Sequence, residues 1–191
     1  MSDFQAREKR QKYINWSIFP LVILALFLDS ADFLSFGQSA IRGDFIAALV
    51  FVYTILKGGR DAFWLALICG YLRDYLAAPA MGVGALPLLF VYAVAALDFW
   101  PSGKLFFRLL QFLLAHYLAA IAFAFTSRLV AWQLDLSNSL PAYLIYHLKL
   151  ASQSLVLDLL AFAFWYLILS YSKNKKSKQR SAGVLKELGK R

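Results

Sequence analysis

Apolar residues run through this chain in long unbroken blocks, separated by short polar, glycine- or proline-containing breaks. A polar, basic start over 1–12 gives way at Tyr13 to an apolar block over 13–36, with Trp16 at its head. A second block, 44–57, ends in Lys57-Gly58-Gly59-Arg60; a third covers 61–78 and a fourth 82–100, closed by Pro101-Ser102-Gly103. The longest, 104–132, is followed by a polar stretch over 135–149 that reads as a loop, and a last apolar block covers 150–171. Apolar stretches of about 20 residues are long enough to cross a bilayer as helices. The pattern therefore predicts an all-α polytopic membrane protein with about six transmembrane helices. The second block is short: at about 1.5 Å per residue it reaches about 21 Å, against a hydrocarbon core of about 30 Å. Either it continues back through Ala40 and Ile41, or its end sits where neighbouring helices shield it. Pro87 falls in the first turns of the fourth helix, where its missing N–H matters least. Asp29 and Asp32 interrupt the region where a signal peptidase would cut, so the first span is expected to be retained.

Composition agrees with that pattern. The chain has 191 residues, 61% hydrophobic and 16% charged, against roughly 45–50% and about 25% in soluble domains. A soluble domain of this size could not hide so much apolar surface. The net charge of +9 is concentrated at the ends. Arg7, Lys9, Arg10 and Lys12 precede the first span; Lys173, Lys175, Lys176, Lys178, Arg180, Lys186, Lys190 and Arg191 follow the last. Placing the N-terminus inside puts Lys57, Arg60, Lys104 and Arg108 in cytoplasmic loops and leaves only Arg42 and Lys149 outside. That asymmetry predicts two cytoplasmic termini. The expected organisation is a basic N-terminal tail (1–12), a six-helix membrane domain (13–172) and a basic C-terminal tail (173–191). Basic clusters confined to the ends of spans suit anionic lipid head groups or an acidic cytoplasmic partner, and no nucleic acid is expected.

The chemistry of catalysis is sparse. Cys69 is the sole cysteine, so no intrachain disulfide can form, and His116 and His147 are the sole histidines, which argues against a His-rich metal site. No phosphate-cradling glycine loop ending in Lys-Ser or Lys-Thr is present, nor His-Glu-x-x-His, nor Gly-x-Ser-x-Gly. The reading is of a protein that is not an enzyme and needs no cofactor.

Charges inside the apolar blocks are the most informative residues. Asp29, Asp32, Asp44, Arg73 and Asp74 fall near the outer ends of the first three spans, with Arg42 in the adjoining loop. An isolated ion in the membrane costs roughly 2.5–3.5 kcal/mol, so pairing is expected. Arg73 and Asp74 read as an interior pair that fixes the hairpin or, alternatively, as a partner-binding spot. Asp29 and Asp32 read either as capped helix ends within reach of water or as part of a functional network. A second group is His116 with Asp158, about 18 Å and about 21 Å up their spans from the inner side. Two readings of that pair stay open: a hydrogen bond that sets helix register, or a one-step proton relay. Alanines in the fourth and fifth spans, among them Ala119 and Ala120, permit close helix packing.

Gly43-Asp44-Phe45 before an apolar block, the Gly58-Gly59 doublet between two spans, Gly70 with Asp74, and Gly82 after a charge-free Pro79-containing turn together resemble the MreD family of bacterial rod-shape membrane proteins. Gly43 stands where such sequences usually carry Pro. The resemblance implies a non-catalytic scaffold in the bacterial cytoplasmic (inner) membrane, within the machinery of cell elongation and peptidoglycan synthesis. Its implied partners are MreC first, then MreB, RodA and the RodA transpeptidase partner. Asp44, Gly70, Arg73, Asp74 and Gly82 would shape the platform, and Lys173, Lys175, Lys176, Lys178 and Arg180 would meet anionic lipid or a partner. The alternative is a substrate-binding subunit of an energy-coupling-factor vitamin transporter, a fold similar to that of MreD, with the outer polar cluster lining a small-molecule pocket.

Overall fold

The computed structural model describes residues 18–30, 44–77, 83–97, 105–132 and 140–188, with side chains as far as Tyr171. Among them every regular element is a helix: α1 (Phe19–Ser30), α2 (Phe45–Lys57), α3 (Gly59–Ala77), α4 (Ala85–Ala96), α5 (Leu105–Trp132) and α6 (Leu140–Leu188). The stretches over 105–129 and 141–171 are long and apolar enough to cross a membrane, while α1, α2 and α4 are shorter apolar helices.

The bundle is built around α2. Its sequence, FIAALVFVYTILK, is apolar on all sides, and a helix of that kind is stable only when surrounded. Every residue over 46–54 is buried, and all five other helices touch it. Phe51 meets Phe112 of α5 and Phe162 of α6 with ring centroids 5.1 and 6.0 Å away, the edge-on and tilted geometries that aromatic rings prefer. At 13 residues α2 spans about 20 Å. The helix starts at Phe45 with Asp44 as its N-cap; Ala40 and Ile41, through which a longer helix would run, lie outside the described residues. The C-terminal end turns at once: Gly58 alone separates α2 from α3, with φ 62° and ψ −173°, a conformation almost confined to glycine.

The α3–α4 hairpin packs backbone against backbone. A Cβ on Gly70 would lie 2.3 Å from Ala85 Cα, so a larger residue there would force the two helices apart. Asp74 Oδ1 accepts the Gly84 N–H at 2.5 Å and holds the start of α4. At the other end of α4, Gln111 Nε2 of α5 donates to Val94 O and Leu97 O at 2.6 Å each, satisfying carbonyls that a helix end leaves open.

One boundary differs from expectation. The polar stretch before the last span is helical from Leu140, so residues 140–149 belong to α6 and are no loop. Tyr143, Tyr146 and His147 sit there among ring contacts, Tyr143 and His147 having centroids 4.5 Å apart. The backbone of α6 also continues past Tyr171 to Leu188 as one helix, carrying the basic residues 173–180 with it. Outward faces are apolar: Ile23, Tyr75, Phe106, Val156, Leu167 and Tyr171 are all more than 60% exposed. Apolar surface on this scale does not face water in a soluble monomer.

Candidate functional site

The N-terminus of α2 presents backbone N–H groups that no residue of the helix can accept. In this protein carboxylates take them. Asp44, the N-cap, accepts the Ala47 N–H on Oδ1 at 2.8 Å. Asp29 of α1 reaches across and accepts the Phe45 N–H at 2.7 Å. Asp158 of α6, fully buried, accepts the Asp44 N–H. Negative groups at a helix N-terminus are favoured by the helix dipole as well as by these bonds. A cation then balances the acids: Arg73 Nη1 of α3 lies 2.8 Å from Asp44 Oδ2. Trp165 of α6 adds a bond from its Nε1 to Phe45 O at 3.0 Å. Three helices are thereby fastened to one turn of α2.

Asp158 extends the network along α6. Its Oδ2 accepts Ser154 Oγ at 2.7 Å and stands 3.5 Å from His116 Nδ1 of α5. The other imidazole nitrogen, Nε2, lies 3.0 Å from Ala151 O; a carbonyl only accepts, so Nε2 carries the hydrogen.

Beside this network lies a cavity of about 280 Å³, bounded by α2 to α6. Asp44, Arg73, His116, His147 and Ser154 supply its polar wall; Pro87, Val91, Phe112, Phe123 and the small residues Ala47, Ala119, Ala120 and Ala151 supply the rest. The side chains of Arg73 and Asp44 are 35% and 27% exposed, so the ion pair is not sealed in the core. His147 Nε2 is buried with no hydrogen-bond partner.

Several expectations change in detail. The short ion pair of Arg73 goes to Asp44 on α2, with Asp74 a weaker attraction beside it, while Asp74 accepts the Gly84 N–H. His116 and Asp158, read as a group apart from the outer acids, are joined to them through the Asp158–Asp44 bond. Ala119 and Ala120, read as packing residues, line the cavity. Asp32, Arg42 and Gly82 lie outside the described residues, as do the side chains of Lys173, Lys175, Lys176, Lys178 and Arg180. His147, Ser154 and Trp165 were not singled out by the sequence reading. Their signal is a stripe at helical spacing (147, 151, 154, 158, 165), whose first position joins it once the helix is carried back to Leu140. Among the described residues no group of three or more His, Cys, Asp or Glu is placed to hold a metal ion.

No family model, curated protein or solved structure matches this chain.

Proposed function

We propose that the protein is a multi-pass scaffold of the bacterial cytoplasmic membrane that acts without catalysis in the cell-elongation machinery, as the MreD resemblance implies. The observation that carries the reading is how the motif residues are used. Gly70 brings α3 against the first residue of α4, Asp74 holds the α4 start, and Asp44 with Arg73 ties α3 to α2. These contacts brace one end of the bundle and leave an apolar exterior for lipid and for a partner's transmembrane helix. In this reading the six helices lie in the bilayer with both termini cytoplasmic, and the charge asymmetry of the loops sets that orientation. The helical continuation of α6 carries its basic residues to the cytoplasmic surface, where each contributes about 1 kcal/mol toward anionic lipid. MreC is the principal partner, with MreB, RodA and its transpeptidase partner reached through the same assembly.

The test is purification of the tagged full-length protein from mildly solubilised membranes of its own host. MreC is expected to co-purify in stoichiometric amount, and Gly70→Val, which opens the hairpin, to reduce recovered MreC at least fivefold at equal scaffold level. A protein recovered without MreC, or with an ATPase module in its place, would overturn the reading.

A further inference from the structure

We infer that the outward face of α5 and α6 binds one anionic phospholipid, with its phosphate at Lys149 and its acyl chains along the apolar face of α6 below. The site is separate from the basic residues that follow Tyr171 and lies at the opposite surface of the bilayer. It needs a protein embedded in lipid but no elongation partner, so its failure and the failure of the scaffold reading are distinguishable.

Spacing along one helix sets the depth of the site. Lys173, the first basic residue after the apolar stretch, comes about 36 Å beyond Lys149 at about 1.5 Å per residue. A hydrocarbon core of about 30 Å fits between them, which puts Lys149 at head-group level, in the proposed orientation that of the outer leaflet. Lys149 is exposed, and so are Ser152 and Gln153, its neighbours one turn deeper on the same face. A lysine alone needs only to reach the surface. An amide facing lipid needs a polar partner, which acyl chains do not supply. Among the described residues the Gln153 amide has none. Beside it, Tyr117 OH of α5 lies 3.3 Å from Ser152 Oγ, a long contact for two hydroxyls that a phosphate oxygen can replace. A phospholipid meets these groups together: its phosphate accepts from the Lys149 ammonium, the Gln153 amide N–H and the Tyr117 hydroxyl. The same face continues inward as Val156, Leu160 and Leu167, each more than 60% exposed, a track for the acyl chains. Charge decides which phospholipid is held. Apart from fully buried Asp158, neither α5 nor α6 as far as Tyr171 carries an acid. The ammonium of a zwitterionic head group therefore finds no carboxylate on these helices, whereas a net negative head group meets Lys149.

The test places a photoreactive p-benzoylphenylalanine at Val156, one turn below the polar groups, in the full-length protein. The protein is reconstituted in nanodiscs of phosphatidylethanolamine with a minor fraction of phosphatidylglycerol. Irradiation attaches whatever covers the face, and mass spectrometry identifies the adduct. Phosphatidylglycerol is expected among the lipid adducts on the order of fivefold above its mole fraction, as suits one lysine near an anionic head group. Lys149→Gln should return it to the mole fraction, and Lys149→Arg should keep it enriched. Both substituted positions are exposed, so neither change puts the fold at risk. Adducts that follow the bulk lipid composition overturn the inference, as does an enrichment that survives Lys149→Gln. A crosslink to a second copy of this chain in place of lipid overturns it as well, because a protein then covers the face.

Discussion

The two ends of α2 solve one problem in opposite ways. Both must satisfy backbone groups that the helix leaves open. At the C-terminal end the described contacts are local: Gly58 N–H donates to Thr54 O at 2.7 Å, and Lys57 Nζ sits 5.0 Å from the centre of the Tyr53 ring. At the N-terminal end the partners come from far along the chain. Asp29 is 16 residues from Phe45, Arg73 is 29 from Asp44, Asp158 is 114 from Asp44 and Trp165 is 120 from Phe45. A local turn needs little besides glycine and says little about tertiary structure. The long-range end holds α1, α3 and α6 in place, and it borders the cavity. Fold and candidate site therefore share their polar residues at one end of one helix.

If that contrast is right, the largest loss of stability comes from removing the cation at the N-terminal end. Arg73→Leu leaves Asp44 uncompensated beside Asp29 and Asp158. Exposed ion pairs contribute about 0.2–1 kcal/mol, and breaking a fully buried pair costs about 3–5 kcal/mol. With its side chains about one-third exposed, this pair should fall between, at about 2–3 kcal/mol. Denaturant titration in detergent micelles measures it. Adding Asp44→Asn, which keeps an effective N-cap but removes the charge, should recover about half of the loss. Failure of the second substitution to recover anything would mean that packing, and no charge balance, holds this end.

The Gly58 turn should respond less and differently. A Cβ on Gly58 meets nothing closer than Thr54 O at 3.7 Å, so space is not the obstacle. The backbone conformation is: φ 62° with ψ −173° costs a non-glycine residue about 1–3 kcal/mol. Gly58→Ala should therefore destabilise by about 1.5 kcal/mol. Gly58→Asn should do no better, because asparagine tolerates the left-handed helical region and this ψ lies far outside it. A neutral Gly58→Ala would show that the turn relaxes freely, and the contrast between the two ends would then be one of strength alone.

The same contrast decides what was readable in advance. Gly58-Gly59 announced a reversal because glycine acts through its own φ and ψ. The helices themselves followed from continuous apolar blocks, and α2 to α5 lie within a few residues of the blocks that predicted them. The acids near the outer ends of the spans were visible as costly residues. Their pairings were not, because pairing depends on how α6 rotates against α2. Residues 140–149 misled for a related reason. Tyr143, Tyr146, His147 and Lys149 look like loop composition, yet they lie on a helix that turns His147 to the cavity and leaves Tyr146 and Lys149 exposed. With that first segment read as loop, the stripe from His147 to Trp165 lost its beginning. Asp158 was then read with His116 alone, without Ser154 and without the acids around α2.

Ser154 supplies the smallest and most discriminating test of the N-terminal end. Ser154→Ala removes the hydroxyl that donates to Asp158 Oδ2 at 2.7 Å while changing shape very little. Asp158 still accepts the Asp44 N–H and still faces His116. Interhelical and buried polar bonds in membrane bundles average about 0.6 kcal/mol when deleted one at a time. The expected loss is about that much, roughly a quarter of the loss from Arg73→Leu. Strong mutual polarisation would give another result, since in a network whose bonds reinforce one another a single deletion weakens the rest. A Ser154→Ala loss as large as that of Arg73→Leu would show that the acids and Arg73 act as one cooperative unit. A small loss would assign the strength of this end to its charge balance, with each single hydrogen bond a minor and separable contribution.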